Sequence, residues 1–198
     1  VTDIRWIKVV GSYAYVAAGL GGLLVINIST PTAPTLVATL PTGLGALWVD
    51  VQGEYAYVAD TDRIKVVNIL TPTAPATVGT LVTPVIAVAV AGNRLYAIGG
   101  GQFKIINIST PSAPSLISAN NSFGGVALAI LGNYALLAKP GLNHFDSAEG
   151  IHVLDIATEA TAPRLKQIIT PGATRSIVVS GGVVFAGDSA SILDVLTA

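Results

Sequence analysis

Hydrophobic residues along the chain fall in short runs separated by turns rich in Gly, Asn, Pro and Thr. One stretch shows the pattern clearly, with runs at Leu47–Val51, Tyr55–Ala59, Ile64–Ile69 and Ala76–Leu81. β-Branched and aromatic residues dominate these runs, as they do in β-strands. Because no segment carries the 3.6-residue period of an amphipathic helix, the pattern predicts an all-β protein.

Two blocks of sequence recur in phase along the chain. The first reads Gly-x-Tyr-Ala-Tyr-Val-Ala at residues 11–17 and 53–59, and weaker copies begin at Gly92, Gly132 and Gly181. The second reads Val-Ile-Asn-Ile-Ser-Thr-Pro-x-x-Pro at residues 25–34, and it recurs from positions 66, 105 and 153 and in part from 192. Since the anchoring glycines lie 42, 39, 40 and 49 residues apart, the chain is a tandem repeat.

Four antiparallel strands in a unit of about 40 residues are typical of a β-propeller blade. The sequence predicts a single β-propeller domain over residues 1–198, with blades at approximately 1–45, 46–85, 86–125, 126–174 and 175–198. Four blades have four strands, and the last has three, at about Ile177–Val179, Val183–Ala186 and Ile192–Val195. Either five blades close with a three-stranded last blade, or the chain is a fragment of a larger propeller, or a neighbouring chain supplies the missing strand.

The two repeated blocks resemble those of the LVIVD-repeat family, β-propeller proteins found largely on bacterial and archaeal cell surfaces. The resemblance covers nearly the whole chain and implies an extracellular or cell-surface binding or scaffolding module without a shared enzymatic activity. The Asp that is usual in the family's second block is Asn at positions 27, 68 and 107 here, and Asp at 155 and 194. We expect these side chains to form Asx-turns that end the third strand and begin the following loop.

Composition and charge exclude several classes of function. The 198 residues include 10 basic and 11 acidic side chains, a net charge of −1 and no cysteine. Without a basic run the chain has no electrostatic footprint for nucleic acid, and without cysteine it has no disulfide scaffold or thiol nucleophile. The mean hydropathy is +0.69, but the longest apolar stretch, Leu81–Ala91, spans about half of the ~20 residues of a membrane helix. No membrane span is predicted, and blades buried on both faces explain the hydropathy.

The candidate ligand site is the loop at residues 139–152, which makes the fourth blade longer than its neighbours. It contains both histidines of the chain and two carboxylates, at His144, Asp146, Glu149 and His152. Imidazole and carboxylate groups bind divalent cations, and loops on rigid scaffolds often carry function. His152 also aligns with an ordinary third-strand position, so a decorative loop is the alternative. No cofactor is expected apart from a possible divalent cation.

A second candidate cation site consists of acidic residues that follow second strands. Asp60 and Asp188 occupy equivalent positions, and Asp62 lies close to Asp60 in sequence. Carboxylate oxygens in such loops are ligands for hard cations. The alternative is that these loop carboxylates are simply solvated.

Predicted innermost strands bring further side chains close to the propeller axis. Trp6 and Trp48 share one repeat position and are expected either to plug the central channel or to form the floor of a ligand site. Lys8 and Asp50 share another position and are expected to form an ion pair rather than a catalytic dyad. A glycosidase needs two carboxylates at a defined separation, and only Asp50 lies on such a strand.

The sequence therefore favours a non-enzymatic, extracellular repeat module that mediates protein–protein interaction or self-assembly, as in a surface layer, filament or multi-subunit complex. The expected partners are other copies of the chain or surface components. The predicted assembly edge is the last strand, with Ile192, Leu193, Asp194 and Val195. A glycan- or metal-binding propeller that uses the loop at 139–152 is the alternative, and a glycosidase-like enzyme is the third hypothesis.

Overall fold

A computed structural model describes residues 3–140, 150–158, 164–170, 172–189 and 193–197, the last stretch by its backbone alone. These residues form five antiparallel sheets, named blades 1 to 5 in chain order. Within the described ranges the structure has no helix, and so none with the length and hydropathy that crossing a membrane requires.

Each blade pairs its strands in chain order. Blade 1 contains β1 (Trp6–Val10), β2 (Tyr13–Ala17), β3 (Leu23–Asn27) and β4 (Thr35–Leu40). Blade 2 contains β5 (Trp48–Gln52), β6 (Tyr55–Asp60), β7 (Arg63–Asn68) and β8 (Ala76–Val82). Blade 3 contains β9 (Ala87–Ala91), β10 (Arg94–Gly99), β11 (Gln102–Asn107) and β12 (Ser115–Asn120). Blade 4 contains β13 (Ala127–Leu131), β14 (Tyr134–Lys139), β15 (Gly150–Asp155) and β16 (Arg164–Ile168). Blade 5 contains β17 (Thr174–Ser180), β18 (Val183–Asp188) and β19 (Leu193–Thr197).

The described ranges confirm the prediction of four four-stranded blades followed by a three-stranded one. The largest difference is at the start of blade 5, where β17 begins at Thr174 rather than at Ile177. The extra residues pair with the end of β18 across a register shift between Thr174 and Ser176. A bulge of this kind interrupts the two-residue alternation, so the sequence pattern does not show that the strand continues.

The chain divides into two compact units. The first comprises Val1–Leu95 and Asn107–Ser115, and the second comprises Tyr96–Ile106 and Leu116–Ala198. In the second unit, β17 packs against β13 and β14 of the preceding blade. Its core includes Leu137, Ile151 and Ile177, each at most 2% exposed.

The core of the first unit lies where blade 1 packs against blade 2. Strand alternation places Tyr15, Ala17, Leu23 and Val25 on one face of blade 1. They share a buried cluster with residues of blade 2, namely Val49, Val51, Ala56, Val58, Val67 and Ile69. Because apolar burial contributes roughly 25 cal/mol per Å², this inter-blade contact is a main source of stability.

The equivalent tyrosines lie in the core, as the sequence predicts. Tyr15, Tyr57 and Tyr96 are 4%, 3% and 6% exposed. Burial raises the pKa of the Tyr15 and Tyr57 hydroxyls, with a smaller contribution from the neighbouring tyrosines Tyr13 and Tyr55. A ring buried to this extent packs against protein and has no face available to stack on a sugar.

Two local features that stabilise turns recur along the chain. The glycine that anchors the first repeated block takes a positive φ of 55–60° in all five copies, a conformation that glycine adopts without strain. At the end of the third strands, an Asn or Asp Oδ1 accepts a hydrogen bond from the backbone N–H two residues on, at 2.9–3.0 Å. These residues are Asn27, Asn68, Asn107 and Asp155. The predicted Asx-turns are confirmed at these four positions, and the side chain of Asp194 lies outside the description.

In blade 3, the Ser-Thr-Pro turn between β11 and β12 packs against the preceding blade. The turn of blade 3 lies against β8 of blade 2, at Gly79. A Cβ added at Gly79 would overlap the carbonyl oxygen of Pro111 and approach Cδ of Pro114. The close packing of this turn therefore excludes any side chain at position 79 of blade 2.

Candidate functional site

The two tryptophans lie side by side at the first strands of blades 1 and 2. The ring centroids of Trp6 and Trp48 are 3.4 Å apart, and their planes are inclined by 14°. Trp48 is 9% exposed, whereas Trp6 is half-buried. The stacked rings join the two blades, and the choice between plugging a channel and forming the floor of a ligand site stays a prediction.

An ion pair lies beside the stacked rings. Lys8 Nζ is 2.7 Å from Asp50 Oδ1, and the two side chains are 41% and 14% exposed. Because residues two apart in a strand share a face, the pair and the tryptophans line the same side of β1 and β5. The predicted pairing of Lys8 with Asp50 is confirmed.

The Asp50 carboxylate also accepts hydrogen bonds from backbone groups of blades 2 and 3. Its Oδ1 accepts a hydrogen bond from Val51 N–H, and its Oδ2 accepts one from Val90 N–H in β9, both at 2.9 Å. Both carboxylate oxygens therefore have partners within the chain. This arrangement favours a structural role over the acid–base role of a catalytic dyad.

Gln52, two residues further along β5, forms a second set of hydrogen bonds between blades 2 and 3. Its amide nitrogen donates to the carbonyl of Gly92, and its amide oxygen accepts from Gly92 N–H, each at 2.9 Å. Together, Asp50 and Gln52 satisfy backbone groups of Val90 and Gly92 with side chains from the preceding blade. This bridge fixes the register of β9 against β5, and the sequence patterns do not reveal it.

Asp60 differs from its prediction. The sequence places it in a loop, whereas the structure places it at the end of β6, fully buried. Its carboxylate accepts hydrogen bonds from Thr42 Oγ1 at 2.9 Å, Gly45 N–H at 2.6 Å and Leu44 N–H at 3.4 Å. Asp60 therefore organises the segment that leads into β5, and the expectation that it is simply solvated is wrong.

The other two members of the acidic candidate set have separate surroundings. Asp62 Oδ1 pairs with Arg63 Nε at 2.8 Å on the surface. The hydrogen bond from Arg63 is the main reason that the pKa of the Asp62 carboxyl is lowered. Asp188 is the last residue of β18, where its backbone lies opposite Thr174, and it is partly buried rather than located in a loop.

Part of the loop at residues 139–152 lies outside the description. His144, Asp146 and Glu149 belong to that part, so the proposed grouping of these residues with His152 stays a prediction. His152 itself lies in β15, at the predicted ordinary third-strand position. It is 2% exposed, and its ring meets the edge of Phe123 at a centroid distance of 6.5 Å.

Lys104 occupies the same repeat position in blade 3 as His152 does in blade 4. It is 1% exposed, and its Nζ donates to the Gly99 carbonyl at 2.6 Å. Burial lowers the pKa of this ammonium group. Among the residues that the structure describes, no three His, Cys, Asp or Glu side chains are grouped closely enough to hold a metal ion.

The predicted assembly edge is described in part. The backbone of Leu193, Asp194 and Val195 pairs with β18, and Ile192 lies outside the described ranges. Within those ranges β19 has only β18 as a neighbour, whereas the third strand of every other blade pairs with a fourth.

Sheets of this kind, repeated along an all-β chain, define the class of protein as a β-propeller. The chain belongs to the LVIVD repeat family, whose model matches residues 3–42, 46–83 and 85–121. No curated protein sequence matches the chain.

Solved structures with low sequence identity share the fold. A functionally unknown protein from Desulfotomaculum acetoxidans is 14% identical, with a TM-score of 0.78, over 100% of this chain and 70% of its own. A protein from Lactobacillus plantarum is 15% identical, with a TM-score of 0.77, over 94% of this chain and 67% of its own. The β-propeller domain of Cps50 (Swd1) from Myceliophteria thermophila is 9% identical, with a TM-score of 0.72, over 94% and 67%. The chain covers only 58% of a computationally designed protein, Ika8, that also resembles it.

Proposed function

We propose that this propeller is a non-enzymatic module that assembles with other copies of itself or with other proteins at the cell surface. The observation that carries the proposal is the surface of the fourth strands of blades 1 to 3, whereas β16 of blade 4 carries Arg164 and Lys166. β4, β8 and β12 contain no charged residue, and they expose Leu36, Val82 and Leu116 at 56%, 74% and 48%.

Such surfaces are unusual for a protein that stays monomeric. Edge strands in soluble proteins are commonly protected by charged side chains, Lys above all. Each of these strands therefore offers an exposed apolar side chain on an uncharged edge to another protein. A chain with only 11% charged residues has little electrostatic repulsion to oppose contact between its own copies. Self-assembly is therefore the function that the surface supports best.

Particle mass and shape test this proposal. We expect light scattering and negative-stain microscopy of the purified chain to show particles much larger than 20.1 kDa. Deletion of residues 192–195 should reduce their size, because it removes the last strand of blade 5. A uniform 20.1 kDa particle at every protein concentration would refute self-assembly.

A further inference from the structure

The turn that follows the third strand of blade 3 contains an acceptor motif for N-linked glycosylation. Residues 107–109 read Asn-Ile-Ser, which is Asn-x-Ser with a residue other than proline in the middle. The same three residues recur in blade 1 at positions 27–29, and residues 120–122, outside the repeated block, read Asn-Asn-Ser. In such a motif the amide nitrogen of the asparagine is the atom that receives an oligosaccharide.

Equivalent turns of other blades show which groups of the motif the fold needs. In blade 3, Asn107 Oδ1 accepts the hydrogen bond from Ser109 N–H at 3.0 Å. In blade 4, Asp155 has no amide nitrogen and forms the same turn at 2.9 Å. In blade 2, Asn68 forms it at 2.9 Å with Leu70, which has no hydroxyl. The turn therefore needs neither the amide nitrogen of Asn107 nor the hydroxyl of Ser109.

The rest of the described chain does not use these two groups either. Over the described ranges, Asn107 Nδ2 and Ser109 Oγ make no hydrogen bond. Asn107 is half-buried and Ser109 is exposed. Between them, Ile108 is only 4% exposed, and its N–H donates to the Asn93 carbonyl at 3.1 Å. The amide nitrogen and the hydroxyl are therefore presented at the surface on a backbone that is fixed in place.

The turn stays accessible although a neighbouring blade packs against it. Pro114, further along the turn, is buried and lies against Gly79 of blade 2. Ser109 and Ser112 remain exposed beside this contact. The packing of blade 3 on the preceding blade therefore leaves the side of the turn that carries the motif open to solvent.

We infer that Asn107 is N-glycosylated, and that the donor is an oligosaccharide activated on a phosphorylated polyprenyl carrier. A bond forms between Asn107 Nδ2 and the anomeric carbon of the sugar, while the bond from that carbon to the phosphate oxygen of the carrier breaks. The phosphorylated carrier leaves with the electron pair, and the amide loses one proton. The transferase belongs to the host cell, and the propeller is the acceptor. This inference rests on the cell-surface location in the proposed function, but not on self-assembly.

Peptide mass spectrometry of the chain purified from its native host provides the first test. Chymotrypsin releases Asn107 and Asn120 in the peptide 104–123, and fragmentation of this peptide distinguishes the two positions. We expect most molecules to carry a glycan at Asn107. An unmodified Asn107, or a sugar at Asn120 alone, in chain recovered from the cell surface overturns this inference but not self-assembly, which particle mass tests separately. A chain found only in the cytoplasm overturns the cell-surface location as well.

Single substitutions separate glycosylation from a structural role of the motif. Asn107→Asp keeps the acceptor oxygen of the turn, as in Asp155, but removes the amide nitrogen, whereas Ser109→Ala removes the hydroxyl alone. We expect both variants to lose the glycan and to keep the circular dichroism spectrum of the wild type. Ser112→Ala, at an exposed serine of the same turn outside the motif, is the matched control and should stay modified. A sugar that persists in Asn107→Asp is attached to another residue and overturns the inference.

Blade 2 provides a gain-of-function test that does not depend on the variants of blade 3. Leu70 is 64% exposed, and Leu70→Ser completes the motif at Asn68, whose turn has the same hydrogen bond. We expect this variant to carry a new glycan on Asn68 in addition to the one on Asn107. If Asn68 stays unmodified in the Leu70→Ser variant, this turn of the repeat is not an acceptor geometry and the inference is wrong.

Discussion

Replacing Asp50 with alanine tests the bridge that connects three blades. The substitution removes the partner of Lys8 and the acceptor for the backbone N–H groups of Val51 and Val90. A hydrogen bond to a charged group contributes about 1.5–3 kcal/mol. An exposed ion pair contributes only about 0.2–1 kcal/mol, and Lys8 is 41% exposed. We therefore expect Asp50→Ala to lower the free energy of unfolding by about 3 kcal/mol, mostly through the backbone contacts.

Urea unfolding followed by circular dichroism measures this loss. For a chain of this size, each kcal/mol lowers Tm by about 2–4 °C, so Asp50→Ala should lower it by roughly 6–12 °C. Asp50→Asn keeps an acceptor oxygen for Val90 and should lose less. Lys8→Met removes the ion pair alone and should cost less than about 1 kcal/mol. Glu54→Ala, at an exposed turn residue of the same blade, is the matched control.

Two results would refute the reasoning about this bridge. If Asp50→Ala unfolds like Glu54→Ala, the hydrogen bond to Val90 contributes nothing to stability. If Lys8→Met costs as much as Asp50→Ala, the ion pair rather than the backbone contact stabilises the blades.

Three further substitutions test other features of the first two repeats and of blade 3. Asp60→Ala should destabilise the fold by about 3 kcal/mol, because a buried hydroxyl and backbone amides lose their acceptor; Asp62→Ala, at the surface, should leave the urea curve unchanged, and equal effects would contradict the reasoning. Gly79→Ala should cost about 1–3 kcal/mol through overlap with the turn of blade 3, whereas the exposed neighbour Thr80→Ala should be neutral; a thermal melt that does not separate the two would show that the turn moves freely. The pKa of Lys104 is lowered by burial, so the unfolded chain binds more protons than the folded one between that pKa and the ordinary value of 10.5. Stability relative to Lys104→Met should therefore rise as pH increases through this window, and a difference that does not vary with pH would count against a buried ammonium.

The fold was predictable from the sequence because the repeat carries its own local signals. Gly11 and its equivalents mark the first hairpin, and Asn27 and its equivalents mark the end of the third strand, each through local backbone chemistry. Bulges such as the one in β17 were not predictable, because they depend on pairing with a neighbouring strand rather than on residue type.

The candidate site was predictable only where two side chains interact. The pairing of Lys8 with Asp50 follows from opposite charges at one repeat position. The partners of Asp60 and Gln52, in contrast, are largely backbone groups. Every residue has the same backbone groups, so the sequence does not show which of them a side chain binds. Motif analysis therefore does not find side chains that bind the backbone of a distant segment, although these side chains fix the position of that segment.

The contacts of Asp50 and Gln52 also bear on how the protein folds during synthesis. Both side chains belong to blade 2, while Val90 and Gly92, which they bind, leave the ribosome later. Blade 2 can therefore fold first, and its side chains are then available to bind β9 as that strand is synthesised. Each such encounter closes a loop of modest length, which keeps its entropic cost low. Growth from the N-terminus, one blade on the next, is the folding order that this arrangement favours.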